Sequence, residues 1–505
     1  MIRFYYSSCS IAAPHVGVVL DDVIASKGQG HTVYWAYCRG VLPSCFMNLS
    51  GHRSMCWLCH RMYDEYAKVY AMEVRMVPVG NLEDRSMIVR TERIPRPVPK
   101  IPGEIMKYQY RHVQLGASVL SMYYEATRDL DLMNLEKFID FFEPLRERLC
   151  DFIDYSYTLL EKLKPDEIII YNGRLFENRL FYDIAKSLGI PFYSLEAVGG
   201  RVEPYKKIRF EGGLPLDIGV YSKKMEHLWH SSPQSMEDRS RLAASFYEKR
   251  RQGILVGDTK VYTAMQHEGL LPDDFRMDRR NVVIFNSSQD EIAALGDEWA
   301  NDTLFDSQAE AIEYMIMHAD PDIHFYLRIH PNLKGVKHSG HMDLYELERY
   351  SSMTVIPPES AVSTYALLDA CWKVVTFGST TGVEACYWGK PSILIGHSFY
   401  EKTGASYSVQ TRNQLMACLN GDIPPKDKTA ALKYAYFLMD RTYSTEKSVI
   451  DIDVKYYHLR WNFFSTSYFR IHHSKIIFQV FFFICCILGL KFSRVQIQFP
   501  WTENS

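Results

Sequence analysis

Residues 376–396 read TFGSTTGVEACYWGKPSILIG. The run Lys373 to Phe377 is apolar and β-branched, which predicts a short strand. Gly378-Ser379-Thr380-Thr381-Gly382 then predicts a tight turn opening a helix, with hydroxyls where a helix takes its N-caps. Val383 to Trp388 is the expected helix, Gly389-Lys390-Pro391 its stop, and Ser392 to Ile395 the next strand. The order makes a βαβ unit. A small, hydroxyl-rich turn at the carboxyl end of such a strand suits a phosphate, because backbone N–H groups and the helix dipole both face the anion. Glu384 lies just inside the helix, within reach of a sugar hydroxyl. The plain alternative is a well-capped connection that holds no ligand.

The same pattern repeats upstream. Asn281 to Phe285 is an expected strand, left by the polar loop Asn286-Ser287-Ser288. Ser307 to His318 is an expected helix, and His324 to Ile329 a strand that runs into His330-Pro331-Asn332. A histidine at a strand's carboxyl end, fixed by a following proline, is placed to donate to a phosphate oxygen. Val355 to Ser360 is another strand exit and carries Glu359. Four exits, at Ser287, His330, Glu359 and Ser379 to Glu384, are expected on one edge, and that convergence outweighs any single motif.

The first half has the same grammar. Met1 to Ser7 is an expected strand, Pro14 to Ser26 a helix and His31 to Tyr37 a strand. His15 falls in the loop after the first strand, where α/β enzymes place catalytic groups, and suits a general base; a capping role is the ordinary alternative. Arg61 to Arg75 is an expected helix, and the four prolines of RIPRPVPKIPG (93–103) make an extended loop, either an arm or a spacer. Gln114 to Lys164 is an expected helix that Pro144 kinks or splits. Glu167 to Tyr171, Phe176 to Leu188 and Phe192 to Leu195 form a further βαβ unit. Asn172, Arg174 and Glu196 sit at its strand ends, Arg174 as a candidate anion ligand. Met225 to Arg251 is an expected helix, and the charged, breaker-rich Gly269 to Arg280 the expected hinge.

Length and composition agree with two domains: 505 residues, 23% charged and 47% hydrophobic, are a folded and globular make-up. The expected division is 1–270, 281–450 and a tail, 451–505. A net charge of -3 gives no reason to expect nucleic acid. The start, MIRFYYSSCS, lacks a basic region followed by an apolar run, so the expectation is a cytoplasmic chain with reduced thiols. Cys38, Cys45, Cys56 and Cys59 then read as a metal set, zinc before iron–sulfur, with His52 and His60 as substitutes. Ile476 to Leu490, IIFQVFFFICCILGL, is shorter than the roughly 20 residues of a spanning helix, so the expectation is contact with a membrane surface.

The segments "HP", "PPES" and "FGSTTGVEACYWGKPSI" resemble the C-terminal half of bacterial surface-polysaccharide glycosyltransferases of GT-B type. These include the capsule polysaccharide biosynthesis proteins and, more distantly, the polysialyltransferases. "YCRGVLPSC…CWLC" and "YNGR…GIPFYSLE" resemble N-terminal segments of the same group. The resemblance implies an α/β protein of two Rossmann-like domains facing across a cleft, one for a nucleotide-sugar donor and one for a glycan or lipid-linked acceptor. It implies that His330, Ser379, Thr380 and Thr381 hold the donor phosphates and that Glu384 holds the ribose or sugar; Gly382, Ser287, Glu359 and Arg174 are further candidate ligands by their places at turns and strand ends. His15 and Glu196 are the candidate catalytic groups. It implies no catalytic metal, so a metal on the cysteines would be structural. The threonines at 380 and 381 depart from the serine-rich motif of the polysialyltransferases, and inverting or retaining chemistry stays open.

Other readings remain at this stage. A teichoic-acid-type polyol-phosphate transferase uses similar HP and GKP segments with a cytidine diphosphate donor. A sugar-nucleotide 2-epimerase has the same architecture but needs more carboxylates near the hinge. A non-catalytic assembly protein docked at the inner face of the membrane, or an iron–sulfur enzyme, belongs to other classes.

Overall fold

The computed structural model describes residues 1–440 apart from single positions and short runs, chiefly 9–12, 64–73, 80–84, 199–205, 257–264, 289–294, 296–298 and 300–303. The apolar run Ile476 to Leu490 lies outside the described residues. Among those described, no helix is long and apolar enough to cross a membrane.

The chain forms two compact units, which part between Pro215 and Leu216. The first is built on β1 (Ile2–Tyr6), β2 (Thr32–Cys38), β3 (Arg75–Val79), β4 (Glu167–Tyr171), β5 (Phe192–Val198) and β6 (Lys206–Glu211). Their order in the sheet is β3-β2-β1-β4-β5-β6. All neighbours are parallel except β5 and β6. The second unit carries β7 (Arg280–Phe285), β8 (Ile323–Arg328), β9 (Met353–Ile356), β10 (Lys373–Thr376), β11 (Ser392–Ile395) and β12 (Tyr407–Val409). Its sheet runs β12-β11-β10-β7-β8-β9 and every pair is parallel. Each sheet winds outward in both directions from a central pair, β1 and β4 or β7 and β10. Such a reversal leaves a crevice at the carboxyl ends of the strands.

The strands read as apolar runs because helices cover both faces. Along β7, Val282 and Ile284 enter one core cluster while Val283 and Phe285 enter another. β4, EIIIY, is buried throughout. In β10 the buried Lys373 is the exception. Its ammonium donates to the carbonyls of Cys418 (2.8 Å), Leu419 (2.9 Å) and Gly421, and so caps the Arg412–Asn420 helix.

Several expectations need correction. The units do not part at Gly269 to Arg280. The helices Ile218–Ser231 and Met236–Arg251 belong with the second unit, where both pack on the Lys428–Met439 helix. That last helix buries Ala431, Ala435, Tyr436 and Phe437. Arg75 begins β3 instead of ending a helix. Pro144 lies inside the continuous helix Leu135–Leu163, and the break falls before it, after Thr127. The proline-rich segment is no free arm. Arg146 Nη1 donates to the Pro95 carbonyl at 2.9 Å, and the Val98 amide donates to Glu143 Oε2 at 2.9 Å, so it is strapped along that helix.

Candidate functional site

The carboxyl edge of the second sheet gathers three of the expected exits through its own hydrogen bonds. After β7, Asn286 is almost fully buried, and its Oδ1 accepts the His330 amide at 2.7 Å. Ser287 Oγ donates to the Phe377 carbonyl at 2.8 Å, which ties the β7 exit to the β10 exit across the reversal. Gln308 Oε1 accepts the Ser287 amide at 3.2 Å from the start of the Gln308–His318 helix. His330, Ser287 and Ser379 to Thr381 are thereby held together and half-buried.

His330 has its tautomer set by the backbone. The Asn332 amide donates to His330 Nδ1 at 3.2 Å, so Nδ1 is an acceptor and the proton of the neutral ring sits on Nε2. An Nε2–H at a strand's carboxyl end is a donor suited to a phosphate oxygen.

The turn after β10 is tighter than the sequence implied. Gly378 has φ 108°, and a Cβ there would stand 2.6 Å from the His397 carbonyl oxygen, so only glycine fits. Tyr400, fully buried, donates to the Ser379 carbonyl at 2.7 Å. The helix runs Thr381–Tyr387, and Thr380 makes no side-chain cap bond. The amides of Gly382, Val383 and Glu384 bond to the carbonyls of Ser379 and Thr380. Those amides are therefore committed to the helix, and what this turn offers is hydroxyl groups. Ser379 Oγ and Thr381 Oγ1 lie 3.2 Å apart as a pair.

Glu384 is placed differently from expectation. It is 3% exposed. Arg250 Nε and Nη2 donate to its Oε1 at 3.1 and 2.9 Å, and the Tyr365 hydroxyl donates to its Oε2 at 2.7 Å. Burial opposes the charge on Arg250, and the Glu384 carboxylate more than offsets that, so its pKa is raised. Both carboxylate oxygens hold protein partners, and Glu384 fixes the helix behind the hydroxyl turn. Glu359 is exposed. Nearby Arg328 donates to the carbonyls of Pro357 (3.2 Å) and Ser360 (3.0 Å), and burial pulls it down to about 10 despite the Glu359 carboxylate.

The first unit carries the remaining candidates. His15 stacks on Tyr171 with ring centroids 4.7 Å apart. Burial lowers its pKa to about 4, so it is neutral at pH 7. The Tyr171 hydroxyl donates to Glu196 Oε1 at 2.9 Å, and Asn172 Nδ2 donates to Glu196 Oε2. Tyr171 therefore stands between His15 and Glu196. Arg174 Nε donates to Ser121 Oγ at 3.1 Å.

The described structure gives no support to the four cysteines as a metal set. Among the described residues no group of three or more His, Cys, Asp or Glu side chains is placed to hold an ion. Cys56 and Cys59 have helical backbone, where a zinc knuckle needs a tight turn. Cys45 is held in an isolated bridge to Asn48, whose side-chain amide donates to Cys56 Sγ at 3.4 Å. Burial pushes the Cys38 thiol up to about 11 and the Cys45 thiol well above its ordinary value. These are half-buried free thiols, which behave as small apolar groups. His60 Nε2 lies 3.0 Å from the Cys38 carbonyl oxygen.

Two doubly wound α/β units, each with a polar strand-exit edge, define the class: a protein of paired nucleotide-type folds. More particularly, residues 300–436 match the family described as Capsule polysaccharide biosynthesis protein, and so carry the resemblance of the "PPES" and "FGSTTGVEACYWGKPSI" segments. No curated protein matches significantly. Among solved structures, the KpsC β-Kdo 2,4 transferase of Thermosulfurimonas dismutans is 16% identical over 57% of this chain and 87% of that one, with a TM-score of 0.33. The glycosyltransferase VinC, in complex with dTDP, is 13% identical over 90% of this chain and 100% of that one, with a TM-score of 0.22. The UDP-GlcNAc 2-epimerase of Methanocaldococcus jannaschii is 11% identical over 90% and 100%, with a TM-score of 0.27. Likenesses at such scores carry no weight here.

Sequence reasoning missed Asn286 as a tether, Gln308, Tyr400 and Arg250. The polar exit loop pointed to the first; the other three are far from the site in sequence, and no local signal marks them.

Proposed function

We propose that this chain is a glycosyltransferase of capsule polysaccharide assembly, moving a sugar from a nucleotide-sugar to a growing glycan. The observation that carries the reading is the capsule family match over residues 300–436, which spans His330 and the Ser379–Thr381 turn on the exit edge of the second sheet. The donor's phosphates bind there. His330 Nε2–H and the paired hydroxyls of Ser379 and Thr381 donate to the phosphate oxygens as charge grows on the leaving group. Glu384 positions the helix that carries the turn. The first unit takes the glycan acceptor near Tyr171, where His15 and Glu196 stand on either side. The acceptor end of the work takes place at the inner face of the membrane, with the apolar Ile476 to Leu490 run as the sequence support.

Calorimetric titration of the full chain with UDP, GDP, CMP and CDP tests the donor site. One nucleotide is expected to bind, and His330→Ala to weaken it by about tenfold or more. CDP alone would move the reading to a polyol-phosphate transferase. No binding of any of the four by folded protein removes the transferase reading.

A further inference from the structure

Arg328 is the last residue of β8, two places before His330. Its register partners are Phe285 on β7 and Ile356 on β9. Both belong to one core cluster with Tyr326, whereas Leu327 and Ile329 enter the other. Arg328 therefore lies on the Tyr326 face of the sheet, at its carboxyl edge. Strand pairing runs on to Ile329, whose amide donates to the Ile356 carbonyl at 3.0 Å, and His330 keeps extended backbone. Alternation returns His330 to the face of Arg328, roughly 6.7 Å further along, which is two residues of strand rise.

The guanidinium is enclosed: Arg328 is 3% exposed. Nη1 and Nη2 donate to the Pro357 and Ser360 carbonyls, and Nε is buried with no hydrogen-bond partner. Among the described residues its charge is opposed by Glu359, which acts from an exposed position. A buried cation without a carboxylate beside it is costly to a fold, and an anion arriving nearby offsets that cost.

The edge above Arg328 is where such an anion is wanted. Ser287, Ser379 and Thr381 bring hydroxyls, and His330 brings a neutral ring whose Nδ1 accepts the Asn332 amide. A proton added at Nδ1 would break that bond. These groups orient a phosphate without balancing its charge. From beneath His330, at an effective dielectric near ~20, a unit charge about 10 Å from a phosphate favours its binding by about tenfold.

We propose that Arg328 is the charge behind the donor site. It does not touch the ligand. It gives the His330 edge a positive potential and holds the Pro357–Ser360 loop, so that the site selects a ligand by phosphate charge, a nucleoside diphosphate over a monophosphate. The nucleotide part rests on the glycosyltransferase reading; the preference for a polyphosphate anion rests on the buried guanidinium.

The test is calorimetric titration of the full chain with UDP and UMP, or the same pair of whichever base binds best, and with inorganic pyrophosphate. The unaltered chain is expected to hold the diphosphate more tightly than the monophosphate. Arg328→Met is expected to weaken the diphosphate about thirtyfold and the monophosphate about tenfold, and Arg328→Lys to keep the diphosphate within about fivefold. Glu359→Gln removes the opposing carboxylate and is expected to tighten the diphosphate about twofold. An equal loss for both nucleotides in Arg328→Met makes the residue a brace for the loop alone and overturns the proposal, as does an unweakened diphosphate. Should Arg328→Met fail to fold, Glu359→Gln decides, and unchanged or weaker diphosphate binding there overturns it. If nucleotides bind but the graded loss is missing, the proposal falls and the transferase reading stands. If no nucleotide binds, yet pyrophosphate binds and Arg328→Met weakens it, the transferase reading falls and the charge site stands. If pyrophosphate does not bind either, both fall.

Discussion

Replacing Arg250 with methionine removes the cation from a buried pair and leaves its anion behind. The side chains of Arg250 and Glu384 are 17% and 4% exposed. A surface pair of this kind contributes at most ~1 kcal/mol. Stripping one partner from a buried pair costs ~3–5 kcal/mol, mostly because the remaining charge is uncompensated. Arg250 keeps some contact with water, so the lower end applies, about 3 kcal/mol. Tyr365→Phe removes only the hydroxyl at Oε2 and costs ~1–2 kcal/mol. The double variant Arg250→Met with Glu384→Gln buries no charge, and is expected to recover to within ~1 kcal/mol of the parent. Urea midpoints followed by tryptophan fluorescence measure all three, since Trp388 ends the same helix. A loss under ~1 kcal/mol for Arg250→Met with Glu384 intact refutes the reasoning. So does a Glu384→Gln variant that loses nucleotide affinity at an unchanged midpoint, because that result makes Glu384 a ligand of the donor.

Three further outcomes follow from single residues. Lys373→Met leaves the carbonyls at the end of the Arg412–Asn420 helix without their donor, and is expected to lower stability by ~2–4 kcal/mol in thermal unfolding. Gly382→Ala puts a Cβ 2.2 Å from Tyr400 Oη and 2.5 Å from Thr376 Cγ2, so either Tyr400 lets go of the Ser379 carbonyl or the turn shifts. About 2–3 kcal/mol of stability and part of the nucleotide affinity are expected to go with it, as read from melting and titration. His15 titrates at about 4 in the fold against an ordinary 6.5. Between those values the unfolded chain takes up a proton that the folded chain refuses. Stability is therefore full above pH 6.5 and falls as pH drops toward 4, by at most ~3 kcal/mol at 1.36 kcal/mol per unit. His15→Phe keeps a ring over Tyr171 and is expected to flatten that slope of urea midpoints against pH.

The central strands were legible because a parallel strand covered on both faces reads as an unbroken apolar run. Glu167–Tyr171, Ser392–Ile395 and the Phe176–Leu188 helix fall where glycine, proline and apolar residues place them. Edge strands lack that signature. β3, RMVPV, and β6, KKIRFE, carry charges and a proline, and neither stands out. The division of the units escaped the sequence because packing of the Met236–Arg251 helix on the Lys428–Met439 helix is a long-range fact. The site edge was legible down to Ser287, His330 and the Ser379 turn, since strand exits follow from strand ends. The role of Glu384 was not: a first-turn carboxylate reads the same whether it faces a ligand or an arginine 134 residues away. The CxxC spacing suggested a knuckle, but Cys56 and Cys59 take helical backbone.

The clasp between the Ile218–Ser231 and Met236–Arg251 helices and the Lys428–Met439 helix also sets an order of events during synthesis. The first two helices leave the ribosome early in the making of the second unit, while their partner is nearly the last part made. At ~5–20 residues per second the wait is on the order of ten seconds or more. Through that interval Trp229 and Tyr247, both fully enclosed in the finished protein, stand uncovered. Tyr247 awaits the Ala431 carbonyl, which its hydroxyl meets at 2.7 Å, and Trp229 awaits the ring of Tyr436. The nascent chain thus presents an aromatic face that a holding chaperone is suited to shelter, and a ribosome stalled short of Lys428 leaves it exposed for as long as the stall lasts.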